Sequence, residues 1–133
     1  MAVDRRELQQ LIAERRETAV AVLLPANSNL PGPRGNLELA AATAELLGAS
    51  DPEWAISLAQ AWSAIDAGQV GGNEPRVMLP FVAAQAAGAL WQSSSPSQRV
   101  QIDAILHRAA NDPRWRVREG AAMGLQRVGL GDF

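Results

Sequence analysis

The stretch NDPRWRVREGAAMGLQRVG, residues 111–129, decides the fold. Asn111-Asp112-Pro113 is a helix-start signal: a capping side chain, followed by a proline whose missing N–H costs nothing in the first turn. Val117, Ala121, Gly124, Leu125 and Val128 then fall on one face at helical spacing, which predicts a helix over 113–128. Such a stripe cannot be buried by one helix alone. The same stretch places three arginines and a tryptophan within Arg114–Arg118. They form either a site for an acidic partner or the face of a structural helix.

Working outward, the pattern Pro-Arg, six residues, Ala-Ala occurs three times. The copies are Pro33-Arg34 with Ala41-Ala42, Pro75-Arg76 with Ala83-Ala84, and Pro113-Arg114 with Ala121-Ala122. Internal periodicity of this length is the signature of stacked helical repeats. Proline opens a helix after a tight turn, and the alanine pair allows a second helix to approach closely. Six helical segments are predicted, over 4–23, 37–48, 52–67, 75–91, 97–110 and 113–128, as three antiparallel pairs. The first is expected to stop before Pro25, with Leu8, Leu11, Ile12, Ala19 and Val22 as its apolar stripe. Gly48 is expected to cap the second. Pro80 either kinks the fourth or marks its true start. Val100, Ile102, Ile105 and Leu106 supply the apolar positions of the fifth.

The segment LHRAANDPRWRVREGAAMGLQRVG resembles a HEAT repeat, on Asp112, Pro113, Val117, Arg118, Ala121, Ala122 and Leu125. The middle copy departs from that pattern, with Leu79-Pro80 where the family has Val-Arg. The resemblance implies an all-α fold, a short right-handed α-α superhelix (an α-solenoid) with approximate repeats 4–48, 52–91 and 97–129 in a single domain spanning 1–133. It also implies that Asp112 and Arg118 hydrogen-bond within and between repeats, a structural role.

Composition agrees with a folded helical chain. Hydrophobic residues make up 47% and charged residues 20% of the 133 residues, with much Ala and no Tyr or Cys. Without cysteine there is no disulfide framework, thiolate metal site or thiol nucleophile. The net charge of −2 argues against a strongly basic nucleic-acid binder. The charge is nevertheless uneven: residues 96–128 carry six Arg against three acids, whereas residues 1–95 carry six Arg against ten. All basic residues are Arg, the better fork for carboxylates and phosphates. No signal peptide and no membrane-spanning run is evident, so a soluble cytoplasmic protein is expected.

Arg34, Asn36, Arg99, Arg108, Arg114, Trp115 and Arg116 are the candidate partner-binding residues. Trp115 is expected to pack against a neighbouring helix. The polar loop from Asn27 to Asn36 is the second candidate feature, because long polar loops often carry function. Trp54, Trp62 and Trp91 sit at helical positions and read as core packing, with base stacking as the sharper alternative. His107, the single histidine, has no second ligand or triad partner nearby. No catalytic residue, cofactor or metal is expected, and an enzyme is the less favoured reading. The leading expectation is a binding module for a protein or peptide. The alternative is a nucleic-acid-binding protein akin to the HEAT-like DNA alkylation-repair glycosylases, which requires Arg99, Arg108, Arg114 and Arg116 on one basic groove. The terminal LGDF supplies no evident capping face, so self-association through the last repeat, or a longer array of which this chain is part, is a third expectation.

Overall fold

A computed structural model describes residues 3–131; Asp132 and Phe133 of the terminal LGDF lie outside the described residues. The described residues are all-helical, with no strand among them. Among them are seven α-helices rather than six: α1 (Arg5–Ala13), α2 (Glu17–Ala26), α3 (Leu37–Gly48), α4 (Pro52–Ser63), α5 (Met78–Ala89), α6 (Pro96–Ala110) and α7 (Trp115–Gly131). A 3₁₀ turn, Pro75–Val77, leads into α5. None of the helices is long and apolar enough to cross a membrane.

The extra helix comes from a break inside the expected 4–23 segment. Arg15 adopts φ 55°, a left-handed conformation. Its N–H reaches the carbonyl of Ile12, and the N–H of Arg16 reaches that of Leu11. This is a Schellman stop, in which two otherwise unpaired carbonyls are satisfied, built here without the usual glycine. Pro25 does not end α2, which runs one residue further. A proline in the last turn breaks few hydrogen bonds.

Other boundaries follow capping chemistry. Asp51 accepts from the N–H of Trp54, with Pro52 behind it, and α4 begins there; it ends at Ser63, four residues short of expectation. Ser95 and Gln98 form a reciprocal capping box at the start of α6. Pro80 lies in the first turn of α5 and marks a start rather than a kink. Gly48 is not a cap: it is the last residue of α3, and Ala49 caps in ordinary right-handed conformation. A Cβ on Gly48 would sit 2.7 Å from the Cβ of Ala89, so its role is to let α3 and α5 touch.

The core centres on α5, whose residues from Met78 to Gly88 are all buried. α5 packs most extensively on α7, then on α3 and α4; α6 packs on α7, α4 and α5. α1 packs on α2 and α3, and α2 lies against the 3₁₀ turn and α5. The α5–α7 crossing is made by glycine. A Cβ on Gly88 would meet the Gly124 carbonyl oxygen, one on Gly124 would meet that of Ala84, and one on Gly120 that of Phe81, at 2.0, 2.4 and 2.7 Å. Backbone therefore rests on backbone at three points, over about two turns of α5 and one of α7. The apolar stripes hold only in part. Val22, Val100 and Leu125 are exposed, Leu125 by 54%, because the periodicity identifies a face but not whether another element covers it. Among the Pro-Arg-Ala-Ala copies, Ala42, Ala83, Ala84 and Ala121 are buried, whereas Ala122 is exposed.

Gly124→Ala and Gly88→Ala are expected to destabilise the fold by about 1–3 kcal/mol or more, since neither backbone can yield easily. Gly129→Ala, with nothing within 4 Å, is expected to be neutral or slightly stabilising through helix propensity. Urea denaturation of the three variants checks this. Gln85 is buried on α5, and its Nε2 has no hydrogen-bond partner among the described residues. Gln85→Met is expected to raise the urea midpoint, because a buried unpaired amide costs about 1–3 kcal/mol.

Candidate functional site

The two sequence features that drew attention, the Asn27–Asn36 loop and the Arg-Trp cluster, are brought together at the start of α7. The loop runs from the end of α2 to the start of α3 and is held by its own polar groups. Ser28 is buried, and its Oγ accepts from the N–H of Leu30 at 3.2 Å. Asn36 caps α3 by accepting from the N–H of Leu39, and its amide donates to the carbonyl of Asn27. Asn36, a candidate binding residue, is thus occupied in structure.

The arginines divide into distinct roles. Arg114 is 5% exposed. Its Nε and Nη2 donate to the two carboxylate oxygens of Asp112 at 2.9 and 2.8 Å, and its Nη1 and Nη2 donate to the carbonyls of Val70 and Ile65. The backbone N–H of Arg114 also donates to Asp112. Arg114 is therefore a buried strut for the 64–74 loop. Arg116, 8% exposed, donates from Nε to the Gly72 carbonyl, and from Nη2 to the Gly32 carbonyl and the side-chain oxygen of Asn73. The N–H of Gly32 donates to the same Asn73 oxygen. Arg116 thereby ties the two loops to each other and to α7.

The structural pair expected between Asp112 and Arg118 takes a different form. Arg118 donates to the backbone carbonyls of Asp112 and Pro113, while the Asp112 carboxylate goes to Arg114. Arg99 donates to the carbonyl of Trp91 and stacks over its ring at 4.8 Å. Arg108 is exposed on α6. Arg99, Arg108, Arg114 and Arg116 consequently do not line one groove: two of the four are buried in internal hydrogen bonds.

What the loop and α7 enclose is an apolar cavity of about 290 Å³. Its walls include Leu30, Leu37, Val77, Met78, Phe81 and Trp115. Trp115 does not disappear against a neighbouring helix; it stays 51% exposed, with the Arg116 guanidinium 4.5 Å from its ring centre. Leu37, on the opposite element, is 47% exposed. Arg34 and Glu119 also line the cavity. Of the candidate residues, Arg34, Trp115 and Arg116 meet here, and Arg99, Arg108 and Arg114 do not. Leu37, Phe81 and Glu119 were not singled out from the sequence. Only Leu37 carried a local signal, as an apolar residue directly after a helix cap. Comparison with models of protein families, with curated proteins and with solved structures finds no match to this chain.

Burial by itself pushes the Asp112 carboxyl up, but the side-chain and backbone hydrogen bonds and the charge of Arg114, helped by the charge of Arg108, outweigh it and hold Asp112 below its usual range. A carboxyl depressed in the folded state contributes stability that is present above its unfolded pKa and lost as pH falls through the folded value. Stability is therefore expected to drop as pH is lowered below about 4, the usual aspartate value. Arg114→Met is expected to cost about 3–5 kcal/mol by leaving Asp112 unpaired. Asp112→Asn is expected to lose stability near neutral pH and to flatten the acid limb. Urea titrations between pH 3 and pH 7 check both.

Proposed function

We propose that this chain is a non-catalytic helical binding module, a short HEAT-like α-solenoid that takes a protein or peptide segment in the cavity between the 27–36 loop and α7. The architectural part rests on the stacking of the helices. The three that carry the alanine pairs, α3, α5 and α7, lie in sequence, with α5 packed on each of the other two. Helices α4 and α6 pack on each other and each on the alanine-pair helix that follows it.

The functional part rests on one observation: two large apolar side chains, Leu37 and Trp115, stand half-exposed on the rim of an apolar cavity floored by Phe81 and Met78. Exposed apolar surface beside a preformed concavity marks a binding site, and tryptophan is among the residues most often found at the energetic centre of an interface. The polar rim, Arg34 and Glu119, supplies orientation. The dispersal of Arg99 and Arg108 and the burial of Arg114 and Arg116 weigh against a phosphate-tracking groove.

An immobilised array of random peptides is expected to yield binders to the wild-type protein. Trp115→Ala and Leu37→Glu are each expected to weaken binding by at least about tenfold, roughly 1.4 kcal/mol, with little change in the urea midpoint. Salt-sensitive binding of a DNA duplex in an anisotropy titration, without any peptide binder, would replace this reading with the nucleic-acid one.

A further inference from the structure

Two arginines from the start of α7 are buried, and they differ in counter-charge. Arg114 is paired with the Asp112 carboxylate at 2.8 Å. Arg116 has no ion-pair partner within 4.0 Å among the described residues. Its acceptors are two backbone carbonyls and an asparagine oxygen, all neutral. Its Nη1 donates no hydrogen bond to the described residues. That nitrogen stands 3.5 Å from where a Cβ on Gly35 would lie, and both residues line the cavity. Arg34, exposed on the same rim, is also without an ion pair or side-chain hydrogen bond among the described residues. Among the described residues, Glu119 is the one acid on the cavity and reaches neither arginine within 4.0 Å.

The Arg116 guanidinium is mostly buried, but its unpartnered Nη1 is not fully buried and stays accessible; the strongest partners of such a charged donor are carboxylates accepting from adjacent N–H groups. Building on the peptide-binding reading above, we infer that the cavity receives the C-terminus of a partner chain ending in an apolar residue. The last side chain enters between Leu37 and Trp115, and the terminal carboxylate accepts from Nη1 of Arg116 and is faced by Arg34. Three features of the site support this occupant. The walls are apolar, so a side chain without charge fills them. The uncompensated charge is positive, so the ligand brings a carboxylate. The volume, at the lower limit of ligand pockets, suits one terminal residue, whose carboxylate lies only two bonds from its Cβ. Capture of a chain terminus by donors at a pocket wall is a recurrent recognition mode.

The test is a peptide array in which every sequence is tethered through its N-terminus and made twice, as the free acid and as the C-terminal amide. It is probed with the wild-type protein, with Arg34→Gln, and with Trp115→Ala. Arg34 makes no contact that the fold needs, so Arg34→Gln is expected to fold normally, whereas Arg116 substitutions would also release the loops. The expected result is binders with Leu, Ile, Val, Met or Phe in last place, bound about ten- to hundredfold more tightly as acids than as amides. That preference is expected to shrink in Arg34→Gln, and binding of both forms to weaken in Trp115→Ala. Equal binding of acids and amides that is still weakened by Trp115→Ala overturns the carboxylate inference and leaves the peptide site standing. No binders in either form, or binders indifferent to Trp115→Ala, overturns both.

Discussion

The Arg114 fork holds together parts of the chain that have little regular structure of their own. The 64–74 segment contains three glycines and no α-helix, so its backbone carbonyls must find donors elsewhere once buried. Arg114 supplies them to Ile65 and Val70, and Arg116 supplies one to Gly72. Lysine would not serve equally. Its ammonium is a point charge, whereas the planar guanidinium presents five donors in a fixed fork and can bind a carboxylate and two carbonyls at once. The 27–36 loop is bound to the same helix start through Gly32 and Asn73. These bonds fix the loop beside Trp115, and the cavity lies between them, over Met78 and Phe81 of α5.

The helix content was legible because it is written locally, in the cap and proline of Asp51-Pro52 and in the repeated alanine pairs, whereas the Ser95–Gln98 capping box lies in a stretch that reads as loop. The break after Ala13 was not, because it depends on Arg15 taking a left-handed conformation that nothing in ERRE advertises. Gly48 reads as a helix stop and is a contact point, like Gly88 and Gly124; Gly124 already lies on the apolar stripe, but how closely the facing backbone approaches is set by the tertiary packing. The apolar stripes likewise overstated burial at Val22, Val100 and Leu125. Hydrophobic periodicity reports which face of a helix is apolar, and coverage of that face is decided by elements far away in sequence.

The candidate site was legible by residue type rather than by geometry. Trp115, Arg116 and Arg34 stood out as chemistry-bearing residues and do line one cavity. Phe81 and Met78 belong to a uniformly apolar helix, and nothing in the sequence distinguishes a cavity floor from a core position before tertiary structure exists. Within the arginine cluster, Arg114 and Arg118 stand four residues apart, a spacing that would put them on one helix face, yet Arg114 and Arg116 are the two that are buried. Arg114 precedes the first turn of α7, where its position is set by the Asp112 turn and not by the helical period.

Under the proposed function, the contrast between the two buried arginines separates stability from recognition within one helical turn. Arg114 is complete: its charge is neutralised by Asp112, which is itself held ionised by that contact. Arg116 satisfies Nε and Nη2 with neutral acceptors and places its guanidinium carbon 4.5 Å from the Trp115 ring centre. A cation over an indole ring gains about 0.5–2 kcal/mol, and neutral acceptors offset part of the desolvation, but neither supplies a negative charge. The guanidinium is thus fixed in place by the fold before any ligand arrives. A donor that is already immobilised loses no side-chain entropy on binding, and so favours affinity through preorganisation. The contacts that hold the two loops in place are, on this argument, also what makes the remaining nitrogen of Arg116 a competent binding group.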